Sequence, residues 1–239
     1  MRVPAGALKS RAVEILMGLG EDPDQSELVA DCLVRADMRG ISTHGTYLLR
    51  SIAERVRAGM LNLPTKPKTI SDSGATALID GGNGLGPVAA MAAMRACVEK
   101  ARAFGIGCVL VRNTNNVGFL GYYTEYAAGR DAIGIMATNA APSMAPWGGA
   151  DPFVGTNPIS ISIPTRGEAA FTADMASSVV ARGKIRKAAR RGEKIPPDWA
   201  LDSNGAPTTD PREALRGTLL PMGGPKGSAL ALAVDIVAG

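Results

Sequence analysis

Ala75-Thr-Ala-Leu-Ile-Asp80, then Gly81-Gly-Asn-Gly-Leu-Gly86, then an Ala- and Met-rich run over 87–104, then Gly107-Cys-Val-Leu-Val111: this stretch decides the fold. Two short apolar runs flank a segment of helix length, which reads as strand, helix, strand in a largely parallel or mixed sheet. The glycine run follows a strand and opens a helix, as a dinucleotide-binding turn does. Counted from Gly82, however, GxGxxG puts Pro87 where the third glycine belongs. The next strand also ends in Val111-Arg112-Asn113 and not in a ribose-binding carboxylate. The run is therefore a plain strand-to-helix turn, and the fold is α/β without a Rossmann fingerprint.

Working outward, the pattern continues with a helix over 119–129 and strands over 132–137, 158–163 and 170–174. A polar, glycine-rich stretch from Thr138 to Asn157 interrupts it, and loops of that length in compact domains are usually functional. Upstream, apolar residues at helical spacing predict helices over 7–19, 25–38 and about 46–59. Pro64 and Pro67 then break the chain, so residues 1–65 form an N-terminal helical unit and 66–239 an α/β core. The last segment, 227–239, is an apolar helix that needs a further layer to cover it. The chain is accordingly read as cut short at its C-terminus, with the core incomplete there.

Composition narrows the function. With 239 residues, 46% of them hydrophobic, the chain can bury a sizeable core. A net charge of +4 helps an anionic ligand approach without indicating nucleic acid, and 4% aromatics are poor material for base stacking. No run of 18 apolar residues and no signal-peptide core occurs, which predicts a soluble cytoplasmic protein with no membrane partner. Cys32, Cys97 and Cys108 lie in apolar runs without metal spacing and read as buried free thiols. Histidine clusters that bind metal are excluded, because His44 is the only histidine.

His44 lies in Arg39-Gly-Ile-Ser-Thr-His-Gly45. An imidazole with an unperturbed pKa of about 6.5 suits proton transfer near neutral pH, although a single histidine beside a turn also occurs as an ordinary surface residue. Arg182, Lys184, Arg186, Lys187, Arg190, Arg191 and Lys194 form a basic run. It reads as a solvated helix face, with an electrostatic seat for a phosphorylated cofactor or a nucleic-acid patch as alternatives. Asn113-Thr-Asn-Asn-Val-Gly118 and Thr138-Asn-Ala-Ala-Pro-Ser-Met-Ala-Pro-Trp-Gly-Gly149 are loops at strand ends, where open α/β sheets gather ligands.

Five separated motifs in order resemble the type-2 malate/L-lactate dehydrogenase family, which includes ureidoglycolate and sulfolactate dehydrogenases. They are Arg39–Gly45, Gly155-Thr-Asn-Pro158, Asp174-Met-Ala-Ser177, the pair Ala200-Leu-Asp202 with Pro207-Thr-Thr-Asp-Pro211, and Gly223-Gly-Pro-Lys-Gly227. The resemblance covers residue 6 to the end. It implies a three-layer, mixed-sheet, non-Rossmann NAD(P)-binding α/β fold of the sulfolactate dehydrogenase type, homodimers, and hydride exchange with a 2-hydroxy or 2-keto acid. It places the acid/base role on His44 and cofactor contacts on Asp174, Met175, Ala176, Lys226 and Asn139. Substrate positioning then falls to Thr43 and Asn116.

Three departures accompany the resemblance. Family members commonly carry a second histidine where Asn116 stands. Several carry an arginine four residues after the motif histidine, where Leu48 stands. Members usually continue well beyond the last helix here. Arg50 does not replace the missing arginine, because two positions along a helix turn it roughly 200° away. The leading reading is a nicotinamide-dependent oxidoreductase using NAD or NADP; the alternative is an inactive or fragmentary paralogue that keeps the cofactor scaffold without turnover.

Overall fold

The computed structural model describes residues 3–167 and 169–239. Eight helices and six strands are present among them, and the chain divides into two compact units. The first comprises 1–134 with 162–172; the second comprises 135–161 with 173–239.

In the first unit, α1 (Ala5–Gly18), α2 (Pro23–Met38) and α3 (Leu48–Arg57) precede β1 (Lys68–Ser73), β2 (Thr76–Asp80), α4 (Gly86–Phe104), β3 (Cys108–Arg112) and α5 (Gly121–Ala128). Strands β2 and β3 pair in parallel with α4 as their crossover, and β1 adds antiparallel to β2. The order is β1-β2-β3. Strand β1 was not expected: Lys68-Thr-Ile-Ser-Asp-Ser73 is exposed throughout, so no face alternates and the period-two signal is absent. Helix α4 starts on Gly86-Pro87, where proline's missing N–H costs nothing, and ends at Gly105 with φ +81°. Its Val88, Ala89, Met91 and Met94 are buried, and Leu85 and Val88 join Leu16, Val29 and Leu33 from α1 and α2 in one apolar cluster. Each such large side chain contributes about 1.5–3 kcal/mol on burial.

The glycine turn before α4 serves the protein's own packing. A Cβ on Gly81 would meet the Asn113 carbonyl at 2.9 Å, and one on Gly86 would meet the Asn116 and Asn115 carbonyls at 2.3 and 2.4 Å. The 113–116 loop thus lies against the space that a pyrophosphate would need, which accounts for glycines without a dinucleotide fingerprint. Nearby, Glu21 is only 4% exposed and its carboxylate accepts from the Thr65 N–H (3.0 and 3.2 Å) and the Thr65 hydroxyl (2.5 Å). Thr65 Oγ1 in turn accepts from Leu85 N at 2.9 Å, so the chain after α1 is tied to the start of α4.

Strands β4 (Gly134–Ala137), β5 (Ile159–Ile163) and β6 (Phe171–Met175) form the second sheet, in that order. The helices α6 (Arg182–Arg191), α7 (Pro211–Arg216) and α8 (Pro225–Ala238) belong to the second unit. Its core gathers Met144, Val154, Ile185, Leu219 and Ala231. The long 138–157 stretch therefore carries its own anchor, with Met144 fully buried and bridged to Val154 and Leu219. Helix α8 buries Gly227, Ser228, Ala231 and Val234 but leaves Ile236 and Val237 83% and 71% exposed.

Candidate active site

His44 closes a short 3-10 turn, Ser42–His44, after α2. Its Nδ1 lies 3.0 Å from Thr43 Oγ1, which sets the ring's orientation. The turn is held from below by Asp37, whose Oδ2 accepts from the Thr46 N–H (2.8 Å) and hydroxyl (2.6 Å). A Cβ at position 45 would fall 1.9 Å from Asp37 Oδ1, so Gly45 is required for the carboxylate to approach. Arg39, at the start of the motif, forms a bidentate pair with Glu125 at 2.7 and 2.6 Å. The motif thus divides into a tip that carries His44 and a charged base. The anchoring residues Asp37 and Glu125 lie outside it, and only the short spacing from Asp37 to Thr46 hinted at the first.

A cavity of about 130 Å³ opens in the same unit. Val29, Leu33, Leu48, Ile52, Leu61 and Leu85 give it an apolar wall, while Arg55, Asn115 and Asn116 bring polar groups. Asn115 is oriented: the two N–H bonds of Nδ2 are shared among Asn83 O, Asn83 Oδ1 and Gly84 O, and Oδ1 accepts from Arg55 Nη2 at 2.6 Å. Asn116 uses Oδ1 to accept from Gly118 N at 2.8 Å. Of the expected substrate residues, Asn116 therefore lines the cavity, whereas Thr43 and His44 sit together on their own turn. Arg50 pairs with Glu54 at 2.9 Å, in keeping with its rejection as a clamp.

In the second unit the expected cofactor residues are carried by the end of β6, the 138–157 stretch and the start of α8. Asp174 and Met175 end β6, and Ser178 bridges to Pro221 just ahead of α8, where Lys226 is exposed. Met222 N donates to Ser177 O at 2.9 Å, and a Cβ on Gly227 would meet that same carbonyl at 2.9 Å. Helix α8 begins at Gly224 with no side-chain cap, leaving backbone N–H groups at its start beside Lys226. Asn139 belongs to the loop that Asn157 fixes. The buried Asn157 amide accepts from Ala140 N (3.0 Å) and donates to Ala231 O (2.8 Å) and Asp235 Oδ1 (3.0 Å). Asn157, from the Gly155-Thr-Asn-Pro158 motif, is the hub that sequence reasoning quoted without giving it a task.

Two other readings meet the structure differently. From Arg182 to Arg191 the basic run is an amphipathic helix, α6, with Ile185 and Ala188 buried, as a solvated face should be, and Lys194 follows it. Arg182 sits at its start, donating to Leu215 O at 2.6 Å; burial, and then the charge of Arg186, pull its guanidinium below the usual value. The thiols are not all buried. Cys32 is, and burial pushes it up to about 12, but Cys97 is half-buried and Cys108 is exposed. Cys108 starts a strand whose other face is open, so an apolar run did not imply two covered faces. No cluster of metal-ligating side chains and no helix able to cross a membrane occurs among the described residues.

Residues 3–239 match the malate/L-lactate dehydrogenase family. The chain belongs to that family. The malate/(S)-sulfolactate dehydrogenase of Methanothermus fervidus is 42% identical over 97% of this chain and 68% of its own length. The ureidoglycolate dehydrogenase (NAD(+)) of Escherichia coli K12 is 34% identical over all of this chain and 68% of its own. Among solved structures, malate dehydrogenase from Entamoeba histolytica superposes with a TM-score of 0.96 at 34% identity, covering all of this chain and 70% of that one. Sulfolactate dehydrogenase from Methanocaldococcus jannaschii gives 0.93 at 40%, covering 99% and 69%. This family member thus spans about two thirds of those relatives' length. The expected family, α/β fold and class of nicotinamide-dependent hydroxy-acid oxidoreductase hold at the level of the family.

Proposed function

We propose that this chain is a dehydrogenase/reductase that interconverts a 2-hydroxy acid and a 2-keto acid with NAD or NADP. The observation that carries the reading is His44, oriented through Nδ1 by Thr43 on a turn clamped by Asp37. In this reading the imidazole gives a proton to the carbonyl oxygen in reduction and takes one from the hydroxyl in oxidation. A nicotinamide held by the second unit would supply the hydride to the carbonyl carbon in reduction, or take it from the hydroxyl-bearing carbon in oxidation.

The second unit's donor set fits a dinucleotide. The uncapped start of α8 and the Lys226 ammonium favour a pyrophosphate, and the Asp174 carboxylate suits ribose hydroxyls. Met175, Ala176 and Asn139 would line the same ligand, the first two with backbone at the strand end. Thr43 and Asn116 are assigned to substrate. In this division of labour residues 1–65 carry the proton-handling motif and residues 66–239 hold the cofactor. The reading includes the cytoplasm and a homodimer; exposed apolar side chains such as Ile236 and Val237 support the second.

His44→Gln, assayed by NAD(P)H absorbance with a panel of keto acids, should lower turnover by about a hundredfold or more while cofactor affinity stays within about twofold, as loss of a general acid/base does. Equal turnover in both proteins overturns the role. Cofactor binding without turnover of any keto acid in the unaltered chain favours a silent scaffold instead.

A further inference from the structure

The cavity beside Asn116 has a composition that selects a ligand. Six aliphatic side chains form its wall, no acidic side chain lines it, and Arg55 is the one charged group lining it among the described residues. Leu48 and Arg55 are seven positions apart on α3, so at 3.6 residues per turn they fall on the same helix face. Arg55 is also held in place: Asn115, whose Nδ2 is engaged by Asn83 and Gly84, presents Oδ1 to one guanidinium nitrogen. A guanidinium has five N–H donors in a fork that matches a carboxylate, so the remaining donors can take an anion. Asn116 turns Oδ1 into its own loop, which leaves its amide nitrogen as the donor end toward a ligand.

We propose that this cavity is the substrate side-chain pocket, that Arg55 binds the substrate carboxylate, and that the substrate is a monocarboxylic 2-keto or 2-hydroxy acid with a branched aliphatic or similarly compact apolar tail. A volume of about 130 Å³ compares with the roughly 150 Å³ aliphatic cavity that accommodates benzene, so a tail of four to six carbons fits. A second carboxylate or a sulfonate on the tail would be buried against Val29, Leu33 and Ile52 without a cation, a costly placement. The keto-acid part rests on the function proposed above; the pocket for an apolar-tailed carboxylate does not.

Calorimetric titration of the 239-residue chain with unreactive 4-methylpentanoate, propanoate and butanedioate tests the pocket without turnover. The expected order puts 4-methylpentanoate first, at least about tenfold tighter than propanoate, since each methylene in an apolar pocket is worth about tenfold or more. Butanedioate should bind more weakly still. Arg55→Gln should weaken 4-methylpentanoate by about tenfold to a hundredfold, Arg55→Lys by less, and Leu48→Arg should shift preference toward butanedioate, with folding of each variant checked by circular dichroism. Equal binding of butanedioate and 4-methylpentanoate, or an unchanged affinity in Arg55→Gln, overturns the pocket. NADH- or NADPH-driven reduction of 4-methyl-2-oxopentanoate is then compared with that of oxaloacetate. Faster reduction of oxaloacetate overturns the substrate class while the oxidoreductase stands. Selective binding of 4-methylpentanoate with no keto acid reduced supports the pocket and overturns the oxidoreductase.

Discussion

Asn157 offers the sharpest test of how the second unit is held together. Its carboxamide makes three hydrogen bonds, to Ala140 N, Ala231 O and Asp235 Oδ1, and the residue is fully buried. At about 0.5–1.5 kcal/mol net for each bond, Asn157→Ala should cost about 2–4 kcal/mol. For a chain of this size that lowers the melting temperature by roughly 5–15 °C. Asn157→Asp should be at least as damaging, because both Nδ2 donors vanish and a new carboxylate faces Asp235 at hydrogen-bond distance. The exchanged pair, Asn157→Asp with Asp235→Asn, restores a donor opposite an acceptor and keeps the bond from Ala140 N, losing only the one to Ala231 O. Urea unfolding of the unaltered protein, Asn157→Asp, Asp235→Asn and the exchanged pair forms a double-mutant cycle. The exchange should recover at least about 1 kcal/mol relative to Asn157→Asp alone, a fraction of the repulsion and lost pairing. If the single and double variants unfold at the same urea concentration, the amide is not the link between the 139–140 loop and α8.

Two further outcomes follow from other sites. Lys226→Ala should weaken NAD(P)H binding about tenfold or more in a fluorescence titration, as loss of a charge-assisted contact does, while the melting temperature of the free protein stays put; equal affinities would remove Lys226 from the cofactor's contacts. Asp80 is held below the usual carboxylate range by the Gly82 N–H first, then by Asn113 and Arg112. A lowered folded value means its contribution is complete above the unfolded value of about 3.9 and is lost as pH falls through the folded one. The gap in urea midpoint between the unaltered protein and Asp80→Asn should therefore be widest near pH 6 and narrow as pH falls below the unfolded value. A gap that does not change with pH would show that the ionised carboxylate is not what stabilises the turn.

Much of the architecture was legible because its signals are local. The three N-terminal helices, the strand–helix–strand unit around α4 and the strands β4 to β6 all announce themselves by apolar spacing, and their bounds shift by only a few residues. Strand β1 was invisible because its side chains face solvent throughout, and α7 because a six-residue helix opened by Asp210-Pro211 is too short for a period to show. The candidate site was proposed from sequence where a motif concentrates residues, at His44 and at Lys226. Its supports were not, since Asp37, Asn115 and Asn157 act on partners brought near only by folding. Arg55 is an intermediate case. The helix arithmetic that excludes Arg50 as a neighbour of Leu48 favours the residue seven positions along, but only the cavity gives that position a purpose.

The Glu21–Thr65–Leu85 chain of hydrogen bonds bears on how the first unit assembles. Buried with only the neighbouring Asp22 N–H for company, the Glu21 carboxylate would be a liability until Thr65 arrives from 44 residues away. Thr65, for its part, accepts from the Leu85 amide, which heads α4. Neither the α1–α2 hairpin nor the turn into α4 reaches its lowest energy alone, so the two should lock in one step. Closing those loops early is entropically unfavourable, and the reward comes only when all three segments meet. A partly folded first unit, with its helices formed and this junction open, would therefore be a sparse species, and the Leu85 amide would exchange with solvent only when the whole unit opens.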